Sequence, residues 1–283
     1  MTWTDAELAH AVAANVAAAL AEDLGSRGDL TAQLIPAERR ARARVITRED
    51  AVLAGRSWFE ACFRALGTTV VIDWHAHEGA RIRAGQNLCE IEGNARALLS
   101  AERPALNFLQ TLSGVATETR RYVDAIAGTR ARIFDTRKTL PGLRLAEKYA
   151  VRCGGGHNHR TGLYDGILIK ENHIAAAGGI RPALEAAHRL APPDVFVQIE
   201  VENLAQLEEA LACGARLVLL DNFDLAGMRA AVKLSAGRAE LEASGGVELS
   251  SVRAIAETGV DRISVGALTK NVRAVDLSMR FMT

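Results

Sequence analysis

A chain of 283 residues and 30.3 kDa, 49% hydrophobic and 24% charged, has the composition of an ordinary globular protein able to bury a sizeable core. Its 34 basic residues balance 34 acidic ones and aromatics make up 5%, which counts against a general nucleic-acid binder or a base-stacking platform. No apolar run approaches the ~20 residues of a membrane span, and the opening MTWTDAELAH holds two acids and no Lys or Arg, unlike a secretory signal.

Residues 5–24 read as an amphipathic helix, with Leu8, Val12, Val16, Leu20 and Leu24 on one face and Gly25 as the stop. ARARVITRED (41–50) alternates like a half-buried strand, and residues 68–92 look like short strands joined by Gly turns. Within them, 78–92 resemble the half-barrel hairpin of a biotinyl or lipoyl carrier. A carrier needs a Lys at the hairpin tip, and the first Lys of this chain is Lys138, so the carrier function is nearly excluded. Residues 100–126 form one or two helices, with Pro104 suited to a first turn.

Beyond residue 130 short apolar runs alternate with Ala/Leu/Glu helical stretches. The runs are 132–136, 166–170, 195–201, 217–221, 240–244 and 262–266. Continuous apolar runs suit parallel strands covered on both faces. Counted from Arg137, Lys170, Glu200, Asp221, Ser244 and Gly266, the steps are 33, 30, 21, 23 and 22 residues, the length of a repeated βα unit. Right-handed crossovers then give a doubly wound sheet or a barrel.

In such folds the C-terminal ends of the strands share one rim, where sites are built. Here the ends carry Arg137-Lys138, Lys170, Glu200 with Glu202, Asp221, Ser244-Gly245-Gly246 and Gly266. Cationic ends come first, carboxylates next and glycines last. That order reads as an anion clamp, metal-holding carboxylates and a phosphate loop, with EASGGV presenting backbone N–H groups before a helix.

The four Cys form no CxxC pair, so neither a zinc pattern nor a disulfide framework is indicated and a reduced, cytoplasmic setting follows. In GGGHNHR (154–160) the pair His157 and His159 invites a zinc reading, as in a metal-dependent amidohydrolase. Such a pair closes an early strand; here it follows three glycines. A loop presenting His159 and Arg160 to an anion fits better.

Several long blocks resemble the quinolinate phosphoribosyltransferase family nearly end to end. They are EDLGSRGDLTAQLIP (22–36), ERPALNFLQTLSGVAT (102–117), DTRKTLPGLRLAEKYAVRCGGGHNHRTGLYDGILIKENHI (135–174), IEVEN (199–203), LLDNF (219–223), EASGGV (242–247) and ISVGALT (263–269). Lys270 departs from the His of a family-like ALTHS, and a molybdenum-transport-linked paralogue shares the framework. The resemblance implies an α/β protein. An N-terminal α/β sandwich domain (1–115), joined by the tail 270–283, precedes an open, incomplete α/β barrel of six to seven parallel strands (116–269). It implies a homodimer acting on quinolinate and 5-phosphoribosyl-1-pyrophosphate. Thr136, Arg137, His159, Arg160 and Lys170 would surround the quinolinate, with Arg103 from the partner subunit. Lys138 and Lys170 would also meet donor phosphates, Glu200 and Asp221 would hold Mg²⁺, and Ser244, Gly245, Gly246 and Gly266 would seat the 5′-phosphate.

Overall fold

The computed structural model describes residues 3–67 and 69–282. Met1, Thr2 and Thr283, at the ends of the expected domains, and Thr68, at the head of the expected 68–92 segment, lie outside the described residues. The chain forms two compact units. One comprises the described residues up to Arg120, Thr139–Gly155 and the segment from Asn271 onward; the other comprises Arg121–Lys138 and Gly156–Lys270.

The first unit opens with α1 (Asp5–Leu24). Thr4 starts it through a capping box: its Oγ1 accepts the Glu7 N–H at 3.2 Å, and Glu7 Oε2 accepts the Thr4 N–H at 2.7 Å. Val12, Val16 and Leu20 form the buried stripe and Gly25 caps the end, as the periodicity requires. Then follow β1 (Arg40–Thr47), β2 (Ala51–Val52), α2 (Arg56–Leu66), β3 (Val71–Trp74), β4 (Arg81–Ile82), β5 (Asn87–Asn94) and α3 (Ala95–Ala125). Strands β1, β5 and β3 are antiparallel neighbours, and β2 pairs with β4. The buried residues of β1 are Ala43, Val45 and Thr47, every second position, so one face of the sheet meets the core. Trp58, Phe59 and Phe63 of α2 are completely buried. No side chain of its own caps α2. The Glu78 carboxylate does so instead, accepting from Gly55 N at 2.6 Å and Arg56 N at 3.3 Å. Burial raises the Glu78 carboxyl above the usual range, against the pull of these bonds.

α3 is one helix of 31 residues, running on through Pro104, its tenth residue; the proline does not mark a first turn. The expected division at 115/116 falls inside this helix. Segment Thr139–Gly155, with α4 (Arg144–Cys153), belongs by its contacts to the first unit.

The second unit is built from β6 (Arg132–Phe134), β7 (Gly166–Ile169), α5 (Glu171–Ala177), α6 (Ile180–Leu190), β8 (Phe196–Val201), α7 (Leu204–Ala212), β9 (Leu217–Asp221), α8 (Leu225–Ser235), β10 (Glu240–Ser244), α9 (Val252–Ala256), β11 (Arg262–Ser264) and α10 (Ala267–Lys270). The six strands are parallel in the order β6-β11-β10-β9-β8-β7. The first strand pairs with the last, as in a barrel, but not with the second. The sheet stays open between β6 and β7, where a single bridge joins Phe134 to His157. Val201, Val218, Leu220 and Ala243 are fully buried, as both-face coverage demands.

The chain returns to the first unit as β12 (Leu277–Phe281), antiparallel to β1 on the side opposite β5. The backbone leading into it packs against α3 at Gly114, where a Cβ would meet the Arg273 carbonyl. Gly114→Ala must therefore displace backbone. It is expected to destabilise the chain by about 1–3 kcal/mol, read as a lower urea midpoint; an unchanged midpoint would mean that the tail yields without cost.

Candidate active site

The C-terminal ends of the six parallel strands carry the predicted residues in one unit. Thr136, Arg137 and Lys138 follow β6. The Lys138 N–H donates to Thr136 Oγ1 at 3.1 Å, and its carbonyl accepts from Thr269 Oγ1 at 2.7 Å, which pins the cationic turn. Gly266 lies beside it: a Cβ there would stand 3.1 Å from Lys138 Cδ and 3.5 Å from Thr136 Oγ1.

Asp135, completely buried, ties the 154–160 segment to the end of β6. Its carboxylate accepts from Asn158 Nδ2 at 2.6 Å and from the His159 N–H at 2.8 Å. Asp165 shapes the next turn, accepting from the N–H groups of Thr161 and Gly162 at 2.6 and 2.8 Å. Arg160 is buried, with Nη1 donating to the Gly166 carbonyl at 3.0 Å. Burial pulls its guanidinium below the usual arginine value, and the nearby Arg137 charge pushes the same way, opposed by Asp165. A buried guanidinium within reach of a second positive charge is a setting that suits an anion. His159 is buried with both ring nitrogens engaged inside the protein. Nδ1 accepts the Arg160 N–H at 2.8 Å, and Nε2 lies 2.8 Å from Gln198 Oε1.

Lys170 ends β7, and its Nζ donates to Glu200 Oε2 at 2.8 Å. Glu200, on β8, is buried to 9% exposure, while Asp221 closes the neighbouring β9 and is half-buried. Glu202, just past β8, is exposed. Two carboxylates at adjacent strand ends match Mg²⁺, which takes one or two carboxylates and keeps water and phosphate oxygens for the rest. A zinc site finds no such support. The His157 ring stacks on Phe134 while the His159 ring meets Phe196 and Gln198, so the two histidines are not placed as a pair of ligands.

Ser244 ends β10, followed by Gly245 and Gly246 at φ +99° and +57°. A Cβ on Gly245 would collide with the Asn222 amide, so the close approach of the two loops requires glycine. The helix expected after these glycines begins at Val252 and is five residues long. The loop's N–H groups, rather than a helix end, are what this strand end offers. Arg103 belongs to the first unit, on α3, with its side chain 62% exposed and 4.0 Å from Glu102. Sequence pattern alone misses Asp135, Asp165, Asn222, Gln198 and Glu242. For Asp135 a signal exists, a carboxylate that ends an apolar run directly before a cationic pair.

Comparison with known proteins gives the chemistry a family. Residues 29–113 match the family model for the quinolinate phosphoribosyl transferase N-terminal domain and residues 115–280 that for the C-terminal domain. A probable nicotinate-nucleotide pyrophosphorylase [carboxylating] of Bacillus subtilis (strain 168) is 44% identical over 91% of this chain and 89% of its own length. The nicotinate-nucleotide pyrophosphorylase [carboxylating] of Mycobacterium leprae is 44% identical over 92% and 94%. The solved structure of the nicotinate-nucleotide pyrophosphorylase from Francisella tularensis superposes with a TM-score of 0.93 at 45% identity, covering 97% of each chain. With both family models covering nearly the whole length and a solved relative sharing the fold throughout, the chain belongs to the quinolinate phosphoribosyl transferase family.

Proposed function

We propose that the chain is a quinolinate phosphoribosyltransferase (nicotinate-nucleotide diphosphorylase, carboxylating). It joins quinolinate to 5-phosphoribosyl-1-pyrophosphate and releases nicotinate mononucleotide, pyrophosphate and CO₂, a step of NAD biosynthesis. The observation that carries this reading is one rim of strand ends that holds Arg137, the buried Arg160, the Lys170–Glu200 pair, Asp221 and the paired glycines. A dianion with adjacent carboxylates satisfies two guanidinium forks at once.

In this mechanism Arg137, Arg160 and Lys170 grip the diacid, with Thr136 donating a hydrogen bond and His159 standing behind Arg160. Lys138 meets the donor's phosphates. Ser244, Gly245, Gly246 and Gly266 receive the 5′-phosphate through backbone N–H groups. Glu200 and Asp221 would hold Mg²⁺, which when bound neutralises the departing pyrophosphate. Breakage of the C1–O bond sends its electron pair to pyrophosphate and leaves an oxocarbenium-like ribose beside Glu200. The pyridine nitrogen then supplies the pair for the new N–C1 bond. The resulting pyridinium accepts the electrons of the neighbouring C–CO₂⁻ bond as CO₂ leaves, and a proton from solvent completes the ring. The protein's part is positioning and fixed charge, with no nucleophilic side chain.

The reading includes a homodimer in which the exposed Arg103 reaches the partner's rim. It also includes a cytoplasmic setting, supported by four free cysteines. No helix among the described residues is long and apolar enough to cross a membrane. Incubating the protein with quinolinate, the ribosyl donor and Mg²⁺ tests the function. Nicotinate mononucleotide and CO₂ are expected, and nicotinate offered in place of quinolinate should react poorly. Equal turnover of nicotinate would remove the second carboxylate from the mechanism.

Gly245→Ala should raise KM for the ribosyl donor by roughly tenfold or more, because the loop must move to clear Asn222 and to escape φ +99°. KM for quinolinate should change much less. Equal changes in both would detach this loop from the phosphate.

A further inference from the structure

A line of buried polar groups runs through the second unit. Glu242, on β10, is completely buried. It accepts from Ser264 Oγ at 2.5 Å and from Gln198 Nε2 at 3.0 Å, and it forms an ion pair with Arg262 Nε at 3.2 Å. Arg262 in turn lies over the Phe134 ring, 3.9 Å from its centroid. Gln198, on β8 and equally buried, turns Oε1 toward His159 Nε2 at 2.8 Å. The last bond runs from the Arg160 N–H to His159 Nδ1.

The polarity of this line follows from one charge. A carboxylate can only accept, so Gln198 must aim its NH₂ at Glu242 and therefore its oxygen at His159. His159 must then carry its ring proton on Nε2, which leaves Nδ1 as the acceptor for the Arg160 backbone. A second histidine tautomer, or a flipped amide, would set two donors or two acceptors against each other in a dry interior. The far end of the line is the backbone of an arginine that the proposed function uses.

Resting on that function, we propose that Gln198 and Glu242 are positioning residues. They lock His159 in its Nε2–H tautomer and thereby fix the backbone from which Arg160 reaches the diacid. They touch no substrate. The line explains why a charge is held so deep: it orients a neutral histidine next to Arg160 without adding another positive charge.

Gln198→Met is the cleaner cut, because it leaves Glu242 with Ser264 and Arg262. His159 Nε2 then has Glu242 Oε1, at 3.7 Å, as the nearest carboxylate. Glu242→Gln is the second variant, with an amide that can present either end. Nitrogen-15 NMR of histidine-labelled protein should show a single Nε2–H tautomer for His159 in the wild type and a mixture or a shifted ring in at least one variant. With the Tm within a few degrees, KM for quinolinate should rise by roughly tenfold to a hundredfold, and KM for the ribosyl donor should stay within about twofold. Wild-type tautomer and wild-type KM in both folded variants would overturn the proposal, as would equal rises in both KM values. Absence of turnover in the wild-type chain would overturn the proposed function, while the tautomer, read without substrate, would still decide whether the network sets the ring.

Discussion

Arg137→Ala is expected to lower kcat/KM for quinolinate by roughly a hundredfold, with little change in Tm. Truncating one partner of a close, desolvated charge pair costs about 2–5 kcal/mol, and each ~1.4 kcal/mol is a factor of ten. The fold is expected to lose less, because Arg137 is only half-buried and its charge disfavours the nearby buried Arg160. Arg137→Lys keeps the charge but gives up the two-pronged fork, and an intermediate loss is expected. Steady-state kinetics with quinolinate varied at saturating ribosyl donor, beside a thermal melt, separate the outcomes. Near-wild-type turnover would take Arg137 out of the clamp. Activity lost together with folding would assign it to the fold.

A mixture of two inactive chains should regain activity. Lys170→Ala deprives Glu200 of its 2.8 Å partner and the diacid of a cation. Arg103→Ala removes an exposed guanidinium from α3. If each site takes its barrel rim from one subunit and Arg103 from the other, a mixed dimer holds one site with both substitutions and one with neither. Random pairing makes about half the dimers mixed, so activity should recover to roughly a quarter of the wild-type level. Differently tagged chains, coexpressed and purified through both tags, should reach about half. A mixture as inactive as its parents would mean that each site is complete within one subunit.

Much of the second unit is legible in the amino-acid sequence. The runs at 217–221 and 240–244 are β9 and β10 to the residue, and the others are strands trimmed by one or two positions. They are legible because a strand covered on both faces must be apolar throughout, and because the βα length repeats. The rim residues are legible for the same reason, since they are what the chain places where an apolar run stops. The buried line is not, because hydrogen-bond partners from β8 and β10 lie 44 residues apart in sequence. A trace is present: Gln198 interrupts VFVQIEV, and a polar residue inside a run covered on both faces must find another polar group. Pro104 misleads, because a proline in a helix usually marks a start or a break, and the long packed face of α3 carries the helix through it. Nothing local assigns α4 to the first unit, since that depends on what it packs against.

The last strand of the chain lies beside the first. β1 has β5 on one side and waits for β12 on the other, so residues 40–47 cannot complete their sheet until residues 277–281 have been made. Until then an eight-residue edge with free backbone groups is open to pairing with any passing strand. A nascent chain stalled before Leu277 should therefore be sticky where one that includes residues 277–281 is not, so solubility depends on a strand made more than two hundred residues after its partner.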